Sequence, residues 1–233
     1  MSNSSASVIL ETLEAHYGAQ TPGWPTDPYS FLIWWHCGYP ASDVTCRKGW
    51  LSLNAATGTD PERLLAANPS KLAEALKAGG MVPELRAMRM KEIAERVVRE
   101  FCGDLTTALR GLTAVKARAA LKKFPNIADP GADRIVLFAG LSPVAAVPSN
   151  CPQVLVRIRR GPEYSNYGFN YRAAQSAIEA EVPANFDARI RAYLLLKRHG
   201  QEICKRTQPK CAVCPLTALC KFSRQNQAPA APA

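Results

Sequence analysis

The stretch CKRTQPKCAVCPLTALC, residues 204–220, brings four thiols into one short segment at the spacing C-x6-C-x2-C-x5-C. Cys204, Cys211, Cys214 and Cys220 can meet at one centre only if the loops between them wrap around it. Thiolates are soft, strongly donating ligands, suited to an iron–sulfur cluster or to zinc. A zinc ribbon usually carries two C-x2-C knuckles. Here there is one, Cys211 to Cys214, so the spacing favours the cluster. Four unligated thiols in a basic, proline-containing loop would be reactive.

Outward from this segment the chain reads as helical. A helix over 187–200 ends in His199-Gly200 just before Cys204. Apolar residues at helical spacing predict further helices over 6–17, 29–37, 86–101, 113–123, 129–140, 149–159 and 171–181, and starts at Pro61 and Pro69 behind Asp60 and Asn68. Met90, Ile93, Val97, Val98 and Phe101 form the apolar side of the basic helix 86–101, and 24–28 reads as a linker. Alternating strand patterns are nearly absent, so the expected class is all-α. The tail 225–233, QNQAPAAPA, is low in complexity and expected to be disordered.

Lys and Arg total 29 against 19 acidic residues, a formal charge of +10, which favours a polyanionic partner. No stretch approaches the roughly 20 apolar residues that span a bilayer. The N-terminus lacks a basic start and cleavage signal, so the expected compartment is the cytosol or the nucleoid within it. Eight cysteines there argue for metal binding or free thiols over disulfides. Cys37, Cys46, Cys102 and Cys151 lie outside the cluster pattern and read mostly as ordinary buried cysteines.

The cysteine spacing and the preceding His199-Gly200 resemble the cluster loop of the endonuclease III branch of the helix-hairpin-helix DNA glycosylases. The resemblance extends upstream over about residues 28–224. FPNIADPGA, residues 124–132, falls on the family's hairpin LPGVGRKTA, and VPSNCPQV, residues 147–154, falls on VDTHIFRV. It implies two lobes: a hairpin lobe over 29–148, with the hairpin at about 113–140, and a 4Fe–4S lobe combining 1–28 with 149–224. Lys205, Arg206 and Lys210 would present cations to DNA phosphates, which fix register rather than sequence. Asn126 and Ala128 replace the hairpin glycines that let backbone N–H groups approach phosphate. Asn126 tolerates left-handed geometry better than Ala128 does. Asp129 is expected to cap the second hairpin helix and to add an unfavourable charge, with Arg134 compensating at the phosphate. Leu85 matches the apolar wedge, and Arg86 and Arg89 would reach phosphate.

Two departures bear on chemistry. The family's Schiff-base lysine falls on Pro130, which has no amine, and its catalytic aspartate falls on Pro148, which has no charge. Asp133 and Asp43 are the remaining candidates for an acid or base. Asp133 reads otherwise as an exposed helix carboxylate, and Asp43 as a helix cap. Cys151, near a helix N-terminus, and His36, beside Trp35, read as core groups, and His199 as a support of the cluster. Trp34, Trp35 and Trp50 could stack an extruded base, although neighbouring Trp34 and Trp35 cannot share a helix face, so one belongs to the core. The resemblance thus implies a monomeric base-excision-repair protein. It would be a glycosylase-like enzyme without the lyase step, acting on damaged or modified double-stranded DNA. The alternative is a catalytically inactive iron–sulfur protein that recognises damaged or bent DNA. A redox protein without DNA is disfavoured by the net charge and the loop cations.

Overall fold

The computed structural model describes residues 5–227, and among these every regular element is helical, as expected. In chain order they are α1 (Ala6–Tyr17), α2 (Pro28–His36), α3 (Asp43–Thr57), α4 (Pro61–Ala66), α5 (Pro69–Leu76), α6 (Pro83–Phe101), α7 (Leu105–Arg110), α8 (Ala114–Leu121), α9 (Asp129–Phe138), α10 (Gln153–Arg159), α11 (Tyr167–Glu181), α12 (Phe186–Glu202) and α13 (Lys221–Gln227). Local chemistry sets the starts. Side chains of Asp27, Ser42, Asn68, Thr113, Asn166 and Asn185 accept from first-turn N–H groups, and Pro28, Pro61, Pro69, Pro83 and Pro130 occupy first turns.

The chain divides into two compact units, one of residues up to Thr21 and from Ser142, the other Pro22–Leu141. Both divisions fall seven residues before the expected ones. Trp24, expected in a linker, is buried against Phe138 and Trp34, with ring centroids 5.3 and 6.2 Å away, and this draws the segment into the second unit. In that unit α6 packs against α2, α4, α5 and α7, burying Met90, Ile93 and Val97. Val98, assigned to the apolar side, is exposed. In the other unit α1 lays Ile9, Leu10 and Leu13 against a core shared with Val154, Leu155, Ile158, Ala174, Ile178, Leu195 and Leu196.

Helix α10 begins at Gln153 rather than 149, because Pro148 and Pro152 interrupt the approach. Helix α11 begins a turn early, at Tyr167, where Asn166 caps it. Helix α7 was not anticipated, and of α3 only the start near Asp43 was. The expected disordered tail begins inside α13, which runs through Gln227; residues 228–233 lie outside the described residues. No helix among the described residues is long and apolar enough to cross a membrane.

Candidate nucleic-acid interface and metal centre

The hairpin lies in the second unit. Leu121, Phe124 and Ile127, three residues apart, point inward and pin the turn between α8 and α9. Asn126 stands exposed between two of them at φ 55°, the left-handed region that its short amide side chain tolerates. Ala128, exposed and extended, is the N-cap of α9, so Asp129 is not the cap but the first helical residue.

Two cations one turn apart on and beside α8 meet two carboxylates one turn apart on α9. Lys122 Nζ lies 2.6 Å from Asp129 Oδ1, and Arg118 Nε lies 2.6 Å from Asp133 Oδ1. Arg118 also approaches Asp129 at 3.8 Å. Asp129 therefore does not present an uncompensated negative charge. Asp133, expected on the surface, is 0% exposed and held in this pair. The K/R-x3-K and D-x3-D spacings flanking the turn were the signal for this clamp.

Other expected phosphate contacts are also redirected. Arg134 is 3% exposed, with its guanidinium carbon 3.8 Å from the Trp24 ring centroid and 4.8 Å from that of Phe31. It cannot reach phosphate. A helix face already crowded by Ala132, Ile135 and Val136 turns it inward, onto aromatic faces that favour a cation. Arg86 is buried and donates to the carbonyls of Met81 (2.8 Å), His36 (3.0 Å) and Gly38 (3.1 Å), so it shapes loops rather than binding phosphate. Arg89 stays partly exposed.

These elements frame a groove of about 840 Å³, lined by residues 38–41 and 79–82 and by Arg86, Arg89, Lys122, Phe124 and Asn126–Ala128. Tyr39 lines it, with its ring stacked 3.7 Å from that of Trp35. Trp34 and Trp35 are both buried, so neither offers a free face; Tyr39 was missed because its exposure depends on the loop rather than on helical spacing. Leu85 is 40% exposed, but Met81, at 84%, lines the groove and Leu85 does not. Asp43 is partly buried in the first turn of α3; the cap is Ser42, whose Oγ accepts from Thr45 N at 3.2 Å. His36 is a core histidine, its Nδ1 2.8 Å from Leu32 O. Burial lowers its pKa to about 4.

The cysteine loop belongs to the other unit. Cys204, Cys211, Cys214 and Cys220 line one small cavity, closed by Ile203, Leu216 and Phe222. Among the described residues no three His, Cys, Asp or Glu stand close enough to hold a single metal ion. Burial pushes the Cys204 thiol up to about 11, against the opposing pull of Arg157, and burial raises Cys214 and Cys220 as well. Neighbouring cysteines raise all three further, so gathered thiolates here need a cationic centre to be stable. The donor set and its cavity therefore fit a cluster.

The finger between the first two cysteines is anchored by the protein itself. Arg157 donates to Lys205 O at 2.7 Å and Arg206 O at 2.9 Å, and places a guanidinium nitrogen 3.5 Å from Cys204 Sγ. Gln153 donates to Cys204 O, and Lys210 N to Ile203 O. Lys205, Arg206 and Lys210 stay exposed. Gln153 and Arg157, one turn apart on α10, were not anticipated. Buried His199 contacts Tyr17 Oη at 3.0 Å and Cys214 Sγ at 3.6 Å. Gly200 follows it because a side chain there would meet Cys151 Sγ at 2.5 Å; Cys151 itself is buried and Pro148 is buried upstream. Cys102 departs from the expectation of buried thiols: it is exposed.

Comparison with solved structures defines the class of fold. The chain matches endonuclease III in a non-covalent complex with DNA at TM-score 0.75 and 17% identity, covering 96% of this chain and 97% of that one. It matches a thermostable thymine-DNA glycosylase at TM-score 0.74 and 21% identity, covering 96% and 98%. The chain therefore has the endonuclease III fold, that of the helix-hairpin-helix glycosylases. By sequence it is 24% identical to a thymine/uracil-DNA glycosylase of Pyrobaculum aerophilum over 174 residues, 72% of this chain and 69% of that protein. A thymine/uracil-DNA glycosylase of Methanothermobacter thermautotrophicus is 25% identical over 162 residues, 69% and 67% of the two chains. No family model matches the chain.

Proposed function

We propose that this protein binds damaged or modified double-stranded DNA and hydrolyses a base from its sugar without the Schiff-base lyase step. The observation that carries the reading is the hairpin turn itself. Asn126 and Ala128 stand exposed at the wall of a groove that also holds Arg89, Lys122 and the Tyr39 ring. Exposed backbone and cations suit a sugar-phosphate chain, and a ring suits an unstacked base. The likeness to proteins named thymine/uracil-DNA glycosylases supports thymine and uracil as the first bases to test.

Pro130 carries no amine, so covalent trapping with borohydride should yield nothing at that position. Asp43 is the candidate carboxylate for base departure, at the start of the helix that follows the groove-lining Gly38–Ala41. The unit carrying the cysteines would hold a 4Fe–4S cluster on Cys204, Cys211, Cys214 and Cys220. There the cluster would be structural, with Arg157 and Gln153 fixing the finger whose cations meet phosphate. Residence in the cytoplasm, at the nucleoid, follows from this role.

A second reading, a protein that recognises lesions without removing them, is favoured by Pro130, by Pro148 and by the ion pair that occupies Asp133. One assay separates the two. Duplexes carrying uracil, thymine opposite guanine, or other lesions are incubated with protein and treated with alkali. New breaks, lost in Asp43→Asn, support excision through that carboxylate. Tight lesion-selective binding with no breaks supports the second reading, and no preference for lesion duplexes overturns both.

A further inference from the structure

We propose that the exposed aromatic–arginine surface of Arg160, Tyr164, Phe169 and Arg172 is a stacking platform for a single-stranded nucleic-acid segment. Tyr164 is 38% and Phe169 54% exposed, with ring centroids 6.1 Å apart. Arg160 lies 4.3 Å over the Tyr164 ring and Arg172 4.9 Å over that of Phe169. Each ring thus has a cation on one side while keeping much of its surface in water.

The arrangement is held open. Asn170 is buried, and its side chain accepts from Tyr164 N at 2.9 Å and donates to Tyr164 O at 2.8 Å and Asn166 O at 3.1 Å. Both backbone groups of Tyr164 are therefore fixed. A loop free to relax would fold such a ring inward; that of Tyr164 is fastened facing outward and that of Phe169 is carried on α11, which lowers the ordering cost of binding.

Charge selects the partner. The carboxylates nearby are engaged elsewhere, Glu163 with Arg157 at 2.6 Å and Glu181 with Arg159. Among the described residues Arg160 and Arg172 have no carboxylate partner. A polyanion answers the cations, and unpaired bases answer the rings, since every base has a π-face. An acidic protein segment answers only the cations. Duplex bases are already stacked on one another, so the platform suits a single strand. Arg157, which holds Glu163, also holds the backbone of Lys205 and Arg206, so one side chain fixes both the platform loop and the cationic finger.

The proposal is independent of base excision, because its probe carries no lesion. The full-length protein is titrated against a fluorescent oligothymidylate of about a dozen nucleotides and against a blunt duplex. Tyr164→Leu/Phe169→Leu should weaken oligothymidylate binding about twenty-fivefold or more, at about fivefold or more per stacked base, and leave duplex binding unchanged. Tyr164→Phe/Phe169→Tyr should restore it, and circular dichroism should show all variants equally folded. Equal losses on single strand and duplex, or no loss on the single strand, would overturn the platform. So would polyglutamate binding that Arg160→Gln/Arg172→Gln abolishes while oligothymidylate binding stands. Should the leucine pair fail to fold, the arginine pair decides: it should weaken oligothymidylate more than duplex.

Discussion

Asp133 has no exposed surface, and Arg118 Nε, 2.6 Å away, compensates its charge. Removing one member of such a pair strands the other, which typically costs more than the pair contributes. Arg118→Ala, which leaves the buried Asp133 carboxylate without that cation, should destabilise the protein by about 3 kcal/mol, read as a lower urea midpoint. Asp133→Leu/Arg118→Met should recover most of the loss. His36 makes a different prediction. The unfolded imidazole takes a proton near pH 6.5, which the folded one refuses until about pH 4. Between those values the unfolded state binds more protons. Stability is then full above pH 6.5, falls as pH drops through the interval, and loses about 3 kcal/mol from this group. His36→Gln should flatten the acid side of a urea-midpoint against pH profile.

The hairpin shows how an element can keep its shape while changing its chemistry. Its turn needs one residue in the left-handed region, and Asn126 supplies it at φ 55°. A β-branched residue is strained there. Asn126→Val should therefore lower stability by about 1–2 kcal/mol, while Asn126→Gly should be neutral, both read by thermal melting. Turning Asp129 from a liability and Asp133 from a surface carboxylate into a clamp required knowing that α8 and α9 lie against each other. Sequence spacing put the four charges on two helices but left their partners open. Helix ends were legible where a capping side chain met proline, as at Asp27-Pro28 and Asn68-Pro69. They were misread at α10, where Pro152 lies inside the expected helix.

At the scale of the whole molecule, the finger is a prediction about ionic strength. If Lys205, Arg206 and Lys210 each neutralise a phosphate, replacing all three with alanine should lower the slope of log affinity against log salt by about three, close to one per contact. The fold should be unaffected, since these side chains are exposed and the backbone is held by Arg157 and Gln153. Equilibrium titrations across a salt series check this. An unchanged slope would remove the finger from the interface.

The order of residues alone was enough to specify an all-helical chain, the grouping of four thiols, the exposure of the finger cations, and the absence of an amine at Pro130 and a charge at Pro148. These depend on periodicity, on spacing and on side-chain identity, all of which are local. Which charged groups meet solvent was a tertiary matter. Arg86, Asp133 and Arg134 read as surface residues by type. They became interior because neighbouring elements offered carbonyls, a cation and aromatic faces that offset their desolvation. Tyr39 at the groove and the fastened ring of Tyr164 arose in the same way. A loop's side chains carry no period, so only the contacts that pin its backbone decide where they point.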